Sequence, residues 1–235
     1  MTVIADQLHA VRARIAAACH AAGRDPSEVG LLAVSKTFGP EVVRQAHAAG
    51  QLAFGENYVQ EAVEKMALLA DLPLQWHCIG PIQSNKTRLV AEHFQWVQTI
   101  DRIKIAQRLS DQRPAALPPL QVCIQVNVDG GLTKSGVSPA DLPALAQAVA
   151  ALPRLCLRGL MCIPDPLPDV AAMQAVFARA RRLFDQLRAQ GLPLDTLSMG
   201  MSGDLEAAIA AGSTLVRVGT AIFGGRPPAS RAAAA

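Results

Sequence analysis

Eight short apolar runs, each parted from the next by a stretch with helical spacing, constrain this chain more than any other feature. The runs fall at about 29–36, Leu52–Gly55, Leu74–Gly80, Trp96–Ile100, Gln121–Val128, Leu155–Ile163, Thr196–Gly200 and Thr214–Phe223. Between them, helices are predicted from Pro40 to near Gly50 and over about Asn57–Ala70, Ser84–His93, Arg102–Gln112, Asp141–Ala151, Val170–Gln190 and Gly203–Ala211. Strict alternation makes the strands parallel, and eight such units close into a (β/α)8 barrel rather than spreading as an open sheet. Only about a dozen residues follow the eighth strand, too few for a full eighth helix. The opening segment Thr2–Ala22 supplies a substitute. There Val3, Ile4, Leu8, Val11, Ile15 and Cys19 recur at three- and four-residue steps, and Gly23 stands where a helix C′ residue belongs. The expectation is one barrel over residues 1–224, its N-terminal helix covering the gap after strand eight, and a frayed tail over 225–235.

Composition narrows the function. A chain of 235 residues, half of them apolar and 17% charged, builds one sizeable core. The net charge of +3, with no cluster of Lys and Arg interleaved with aromatics, argues against nucleic acid as a partner. No apolar run reaches a membrane-spanning length, and the N-terminus lacks a basic segment leading into an apolar one. The five cysteines, Cys19, Cys78, Cys123, Cys156 and Cys162, are scattered without a C-x-x-C pair. They read as reduced thiols of a cytoplasmic protein. The histidines show no metal-ligand spacing, so no metal site is expected.

In a barrel of this kind the loops after the strands build the site. The run Leu31-Leu32-Ala33-Val34-Ser35 leads into Lys36 before Gly39-Pro40 ends the segment. Lys36 is either a desolvated, neutral amine able to form a Schiff base or a lysine that solvates a strand end. Asn57 is either a ligand contact or a helix N-cap, and His77 either a satisfied core histidine or a ligand contact. Glu56 and Lys86 read as exposed charges. Met161 and Met199 fill core gaps or lie against an aromatic ring. The segment Ser198-Met199-Gly200-Met201-Ser202-Gly203-Asp204 opens a short helix and suits an anion, although Ser202 also fits a plain N-cap. Arg217-Val218-Gly219-Thr220 ends strand eight, and the loops after strands seven and eight are the recurrent phosphate site of the fold. Arg217 shares a face with Leu215 and Gly219. If that face is the barrel interior, its guanidinium is a buried cation in need of an acceptor.

A strand-one lysine opposite a phosphate cradle suits pyridoxal 5′-phosphate, whose aldehyde and phosphate lie at opposite ends. Across Ala33-Val34-Ser35-Lys36, Phe54-Gly55-Glu56-Asn57-Tyr58-Val59-Gln60-Glu61, Trp76-His77-Cys78-Ile79-Gly80-Pro81-Ile82-Gln83-Ser84-Asn85-Lys86, Gly159-Leu160-Met161 and the two segments just named, the chain resembles the pyridoxal phosphate homeostasis proteins. These are similar to the barrel domain of bacterial alanine racemase. The resemblance implies a TIM barrel of the alanine racemase N-terminal-domain type, an internal aldimine on Lys36, phosphate contacts from Ser202, Gly219 and Thr220, and Arg217 facing the pyridine nitrogen. It adds Asn57, His77, Met161, Ser198, Met199 and Gly203 to the expected cofactor-binding set. An arginine at the pyridine nitrogen disfavours its protonation and weakens the ring as an electron sink. Cys78 departs from the more usual phenylalanine, with altered packing as the expected result.

Members of that family are described as binding, buffering or delivering the cofactor without clear catalytic activity. The implied function is intracellular pyridoxal phosphate homeostasis, with cofactor-dependent apo-enzymes as a partner class and a monomer as the expected state. The alternative is a weak amino-acid racemase in which Lys36 works with solvent or a His77 relay. Alanine racemases take a tyrosine from an added C-terminal β domain, whereas Tyr58, the only tyrosine here, reads as part of a helix start. A Schiff-base aldolase without cofactor is a third reading. Whether Lys86 or Lys134 gives a second cofactor contact stays open.

Overall fold

The computed structural model describes residues 2–131, 135–167 and 169–225; Lys134 and the tail from 226 onward lie outside the described residues. Helix α1 (Val3–Ala21) is capped by the Thr2 hydroxyl, which accepts from Ala5 N–H at 3.3 Å. It ends where Gly23 takes φ +66. There Gly23 N–H donates to His20 O at 3.1 Å and Arg24 N–H to Cys19 O at 2.9 Å, satisfying carbonyls that a helix end otherwise leaves bare. Its Leu8, Val11, Ile15 and Cys19 stripe is buried, as the spacing predicts.

The alternation follows: β1 (Gly30–Val34), α2 (Pro40–Ala48), β2 (Ala53–Glu56), α3 (Val59–Ala67), β3 (Gln75–Cys78), α4 (Thr87–His93), β4 (Trp96–Ile100), α5 (Ile103–Gln112), β5 (Leu120–Gln125), α6 (Leu142–Ala150), β6 (Leu155–Met161), α7 (Val170–Ala189), β7 (Thr196–Ser198), α8 (Leu205–Ala210), β8 (Leu215–Val218) and α9 (Thr220–Phe223). All strands pair in parallel in chain order, and β8 returns to β1 through Leu32↔Arg217 and Ala33↔Val218, closing the barrel. Helix α1 packs against α2, α8 and α9, filling the place of an eighth covering helix.

One element differs in kind from its sequence reading. The run Thr214–Phe223 is not one strand: it stops at Val218, Gly219 caps a turn, and Thr220–Phe223 is helical. A short apolar run carries no periodicity that separates strand from buried helix, so Ala221-Ile222-Phe223 reads as a continuation of the strand.

Parity along the strands divides the core. Ala33, Phe54, Trp76, Val97, Val122, Leu197 and Val216 join the large cluster under the helices, and Cys78 packs there too. Leu32, Val34 and Ile79 form a separate cluster, and Trp96, Cys123 and Met161 another. With His77, Gln98, Ser198 and Arg217 they occupy the barrel interior, where apolar and polar residues stand in register on neighbouring strands: Leu32 with Arg217, Trp96 with His77 and Met161 with Ser198. No helix among the described residues is long and apolar enough to cross a membrane.

Candidate functional site

At the C-terminal mouth of the barrel lies a cavity of about 350 Å³, lined by Val34, Lys36, Asn57, Ile79, Ile163, Met201, Ser202, Gly203, Arg217, Gly219 and Thr220. It gathers strand ends that are far apart in sequence, as the fold dictates.

Lys36 enters from a turn just past β1. Thr37 takes φ +67, which non-glycine residues seldom adopt, and Phe38 N–H closes onto Ser35 O at 3.1 Å. That turn is anchored from below. Ser35 Oγ donates to Glu56 Oε1 at 2.6 Å, and Lys65 Nζ donates to the same oxygen at 2.7 Å and to Ser35 O at 2.9 Å. Glu56 is therefore not an exposed charge, as its sequence context suggested, but fully buried. Burial raises its pKa, and the Lys65 ammonium opposes that rise. Its second oxygen, Oε2, is buried without a hydrogen-bond partner, as is Asn57 Oδ1 beside it. Asn57 is also not the cap of α3; Tyr58 holds that position, 48% exposed, without a side-chain bond to the helix.

Across the mouth, Thr220 Oγ1 donates to Ser202 Oγ at 3.2 Å, so two hydroxyls share one wall of the cavity. Ser202 is not a helix cap: Asp204 precedes α8 and accepts from Met201 N–H. Gly219 lets the wall approach β1, since a Cβ there would stand 3.2 Å from Val34 O. Phe38 and Phe223, with ring centroids 5.3 Å apart, join the lysine turn to α9.

Arg217 faces the interior, 4% exposed. Nη1 donates to Ser198 Oγ at 2.7 Å and Nη2 to Cys162 O at 2.9 Å. Both acceptors are neutral, and burial lowers its pKa from the ordinary arginine value.

Seven expected contacts thus meet at one cavity: Lys36, Asn57, Ser202, Gly203, Arg217, Gly219 and Thr220. The other four stand elsewhere. Ser198 lies behind Arg217 and orients it. Met199, one residue on, points by strand parity into the core under the helices. Met161 packs on Trp96 and Cys123. His77 stacks on Trp96 at 5.0 Å and lines a hollow at the opposite, N-terminal mouth, with its pKa pushed down to about 3 by burial. Lys86 reaches Gln60 Oε1 at 3.5 Å and does not line the cavity. Val34, Ile79, Ile163 and Met201 are lining residues that reasoning from sequence missed. Val34, Ile79 and Met201 sit in segments already singled out, and for the first two inward parity is the available signal. A larger hollow of about 420 Å³ near Arg12 and Leu52 carries no comparable chemistry, because Arg12 is engaged by Ala49 O and Gln51 Oε1.

The arrangement can hold an anion on its hydroxyl wall while an amine faces a carbonyl across the mouth. Comparisons agree in kind. Residues 7–227 match the profile of the family described as "Alanine racemase, N-terminal domain". The pyridoxal phosphate homeostasis protein of Pseudomonas aeruginosa is 65% identical over 226 residues, covering 96% of this chain and 97% of that one. The structure of PipY from Synechococcus elongatus with pyridoxal phosphate bound is 41% identical with a TM-score of 0.83, covering 94% of this chain and 100% of that one. Alanine racemase of Corynebacterium glutamicum, 20% identical with a TM-score of 0.69 over 97% of this chain and 62% of that one, shares the fold. By its closed barrel, by the residues gathered at its mouth and by these matches, the chain belongs to the alanine racemase N-terminal domain family and, within it, to the pyridoxal phosphate homeostasis proteins.

Proposed function

We propose that this protein binds pyridoxal 5′-phosphate at the C-terminal mouth of its barrel and serves the homeostasis of that cofactor, with Lys36 as a reversible covalent tether. The observation that carries the reading is the placement of Lys36 and the Ser202–Thr220 hydroxyl pair on one cavity with Arg217 as its floor. The residues fit the group: hydroxyls and a close-approaching glycine for the phosphate, a permanent cation for the ring nitrogen, an amine for the aldehyde, and apolar Val34, Ile79 and Ile163 for the ring. When bound, the cofactor would supply an aldehyde, and Lys36 Nζ, as the neutral amine, would be the residue to hold it reversibly. Arg217 keeps the ring nitrogen unprotonated, which suits storage better than carbanion chemistry.

Holding rather than turnover is also favoured by where proton-transfer groups stand. Lys36 and the permanently charged Arg217 apart, the described lining holds hydroxyls, an amide and apolar groups, and His77 is neutral at the far mouth. The barrel over 1–224 forms the cofactor site, and the protein acts as a cytoplasmic monomer that exchanges its cofactor with dependent apo-enzymes. The test is the visible spectrum before and after borohydride, followed by peptide mass mapping. A yellow protein that bleaches and carries the pyridoxyl mass on Lys36, with both signals lost in Lys36→Ala, is expected. A protein that takes up no pyridoxal phosphate refutes the reading. Deuterium exchange at Cα of alanine at enzyme-like rates would replace storage with racemisation.

A further inference from the structure

The barrel interior carries a row of polar side chains that contact with a cofactor does not explain. Arg217 Nη1 donates to Ser198 Oγ at 2.7 Å, and Ser198 Oγ lies 2.7 Å from Gln98 Oε1. Gln98 Nε2 lies 3.0 Å from His77 Nδ1, and His77 Nε2 lies 3.1 Å from Gln75 Oε1. The row runs from β8 through β7 and β4 to β3. Its inner four members are at most 4% exposed, whereas Gln75 opens on the N-terminal mouth.

Its polarity is set from one end. Arginine only donates, so the Ser198 oxygen accepts from it and the single serine proton goes to Gln98 Oε1. That fixes the amide. Gln98 Nε2–H then donates to a bare His77 Nδ1, and the ring proton sits on Nε2, given to Gln75. In this order every donor has an acceptor. The reversed amide would give Ser198 two donors and leave its own buried proton without a partner, which is costly. A proton on Nδ1 would set N–H against N–H at Gln98.

We propose that Gln98 is a positioning residue of the cofactor site: acting through Ser198 it fixes the guanidinium of Arg217, and His77 with Gln75 holds Gln98 in register. The inference rests on the cofactor reading above. Neither Gln98, His77 nor Gln75 lines the cavity, so the action is at a distance through hydrogen bonds. Because Cys162 O holds the other arm of Arg217 at 2.9 Å, loss of Gln98 lets the guanidinium turn about one anchor rather than leave.

The test compares wild type, Gln98→Leu and Gln98→Glu by pyridoxal phosphate titration, by the visible band of the loaded protein and by ¹⁵N NMR of His77. In wild type the NMR reads a bare Nδ1. Gln98→Leu raises the dissociation constant about tenfold, the loss expected from one misplaced charged hydrogen bond, and moves the visible band. Gln98→Glu keeps an acceptor for Ser198 and sets a second oxygen against Nδ1. It restores band and affinity while His77 takes its proton on Nδ1. Wild-type band and affinity in Gln98→Leu, or a protonated Nδ1 in wild type, overturns the proposal. Should Gln98→Leu fail to fold, Gln98→Glu and the wild-type tautomer decide. A wild type that binds no pyridoxal phosphate overturns the cofactor reading instead, and the tautomer of the unliganded protein still tests the row.

Discussion

Replacing Lys65 by methionine puts the anchor under the lysine turn to a quantitative test. Lys65 and Glu56 form an ion pair at 2.7 Å with side chains 7% and 0% exposed. Removing one partner of such a pair typically costs about 3–5 kcal/mol, because the other charge stays buried and unpaired. Glu56 can escape by taking a proton. Burial already raises its pKa above the ordinary 4.5 against the pull of Lys65, and without Lys65 it rises further. In the variant, then, the folded protein carries a neutral Glu56 and the unfolded chain an ionised one. The folded state binds one proton more, so unfolding free energy falls with rising pH, by about 1.4 kcal/mol per unit. This loss runs from the unfolded value upward to the folded pKa of the variant. Keeping Glu56 neutral therefore costs at most about 5 kcal/mol at pH 8 and about 2 at pH 6.

The measurement is urea unfolding of wild type and Lys65→Met at pH 6, 7 and 8, read as differences in midpoint at equal slope. A gap that narrows as the pH falls is expected. The double variant Lys65→Met with Glu56→Gln should recover most of the loss, since a neutral amide can still accept from Ser35 Oγ. A gap that stays constant with pH, or one below about 1 kcal/mol at pH 8, would refute the reasoning, because it would mean that Glu56 is solvated in the folded protein. The same variant should lower pyridoxal phosphate affinity, as Ser35 O loses the Lys65 donor beside the turn that carries Lys36.

Gly219→Ala sets a methyl 3.2 Å from Val34 O at the phosphate wall, so cofactor affinity should drop several-fold by titration while stability falls by about 1 kcal/mol or less. Gly159→Ala is different in kind: its Cβ would lie 1.7 Å from Thr196 O between β6 and β7, and a loss above about 3 kcal/mol is expected by urea unfolding. Iodoacetamide on the native protein at pH 8 should label half-buried Cys156 first by mass mapping, because Cys78, Cys123 and Cys162 are buried and their thiols are pushed up to about 12. Arg217→Met should lower the stabilisation gained on adding pyridoxal phosphate in a thermal melt.

What the sequence made legible was whatever local rules govern. Trp96–Ile100 was read to the residue as β4, and the three- and four-residue stripe of Thr2–Ala22 located α1 within one residue at each end. That Lys36 and the Ser202 and Thr220 hydroxyls meet at one cavity was legible because in this fold the loops after the strands gather at one mouth. What escaped depends on partners distant in the chain or on depth in the barrel. Glu56 reads as a surface charge until α3 brings Lys65 to it. Gln98 looks like an ordinary polar strand residue, and nothing in Trp96-Val97-Gln98-Thr99-Ile100 tells that its amide spans from β3 to β7. His77 reads from its apolar neighbours as core or ligand contact, and the resemblance places it among the cofactor contacts. Its register opposite Gly55 and Trp96 is what turns it toward the N-terminal mouth.

Arg217 shows why such a row of neutral groups belongs in this barrel. A guanidinium taken from water needs compensation, and a carboxylate would be the strongest source. A carboxylate, however, would neutralise the cation and fill the acceptor role that a ligand atom could take. Serine and a backbone carbonyl hold two of the five donors without cancelling the charge. Gln98 Oε1 then accepts the serine proton and a neutral His77 accepts from Gln98 Nε2, again adding no charge. The arginine is thus held beside the cavity by neutral groups, where, on the proposed reading, a ring nitrogen with a lone pair would be a further acceptor.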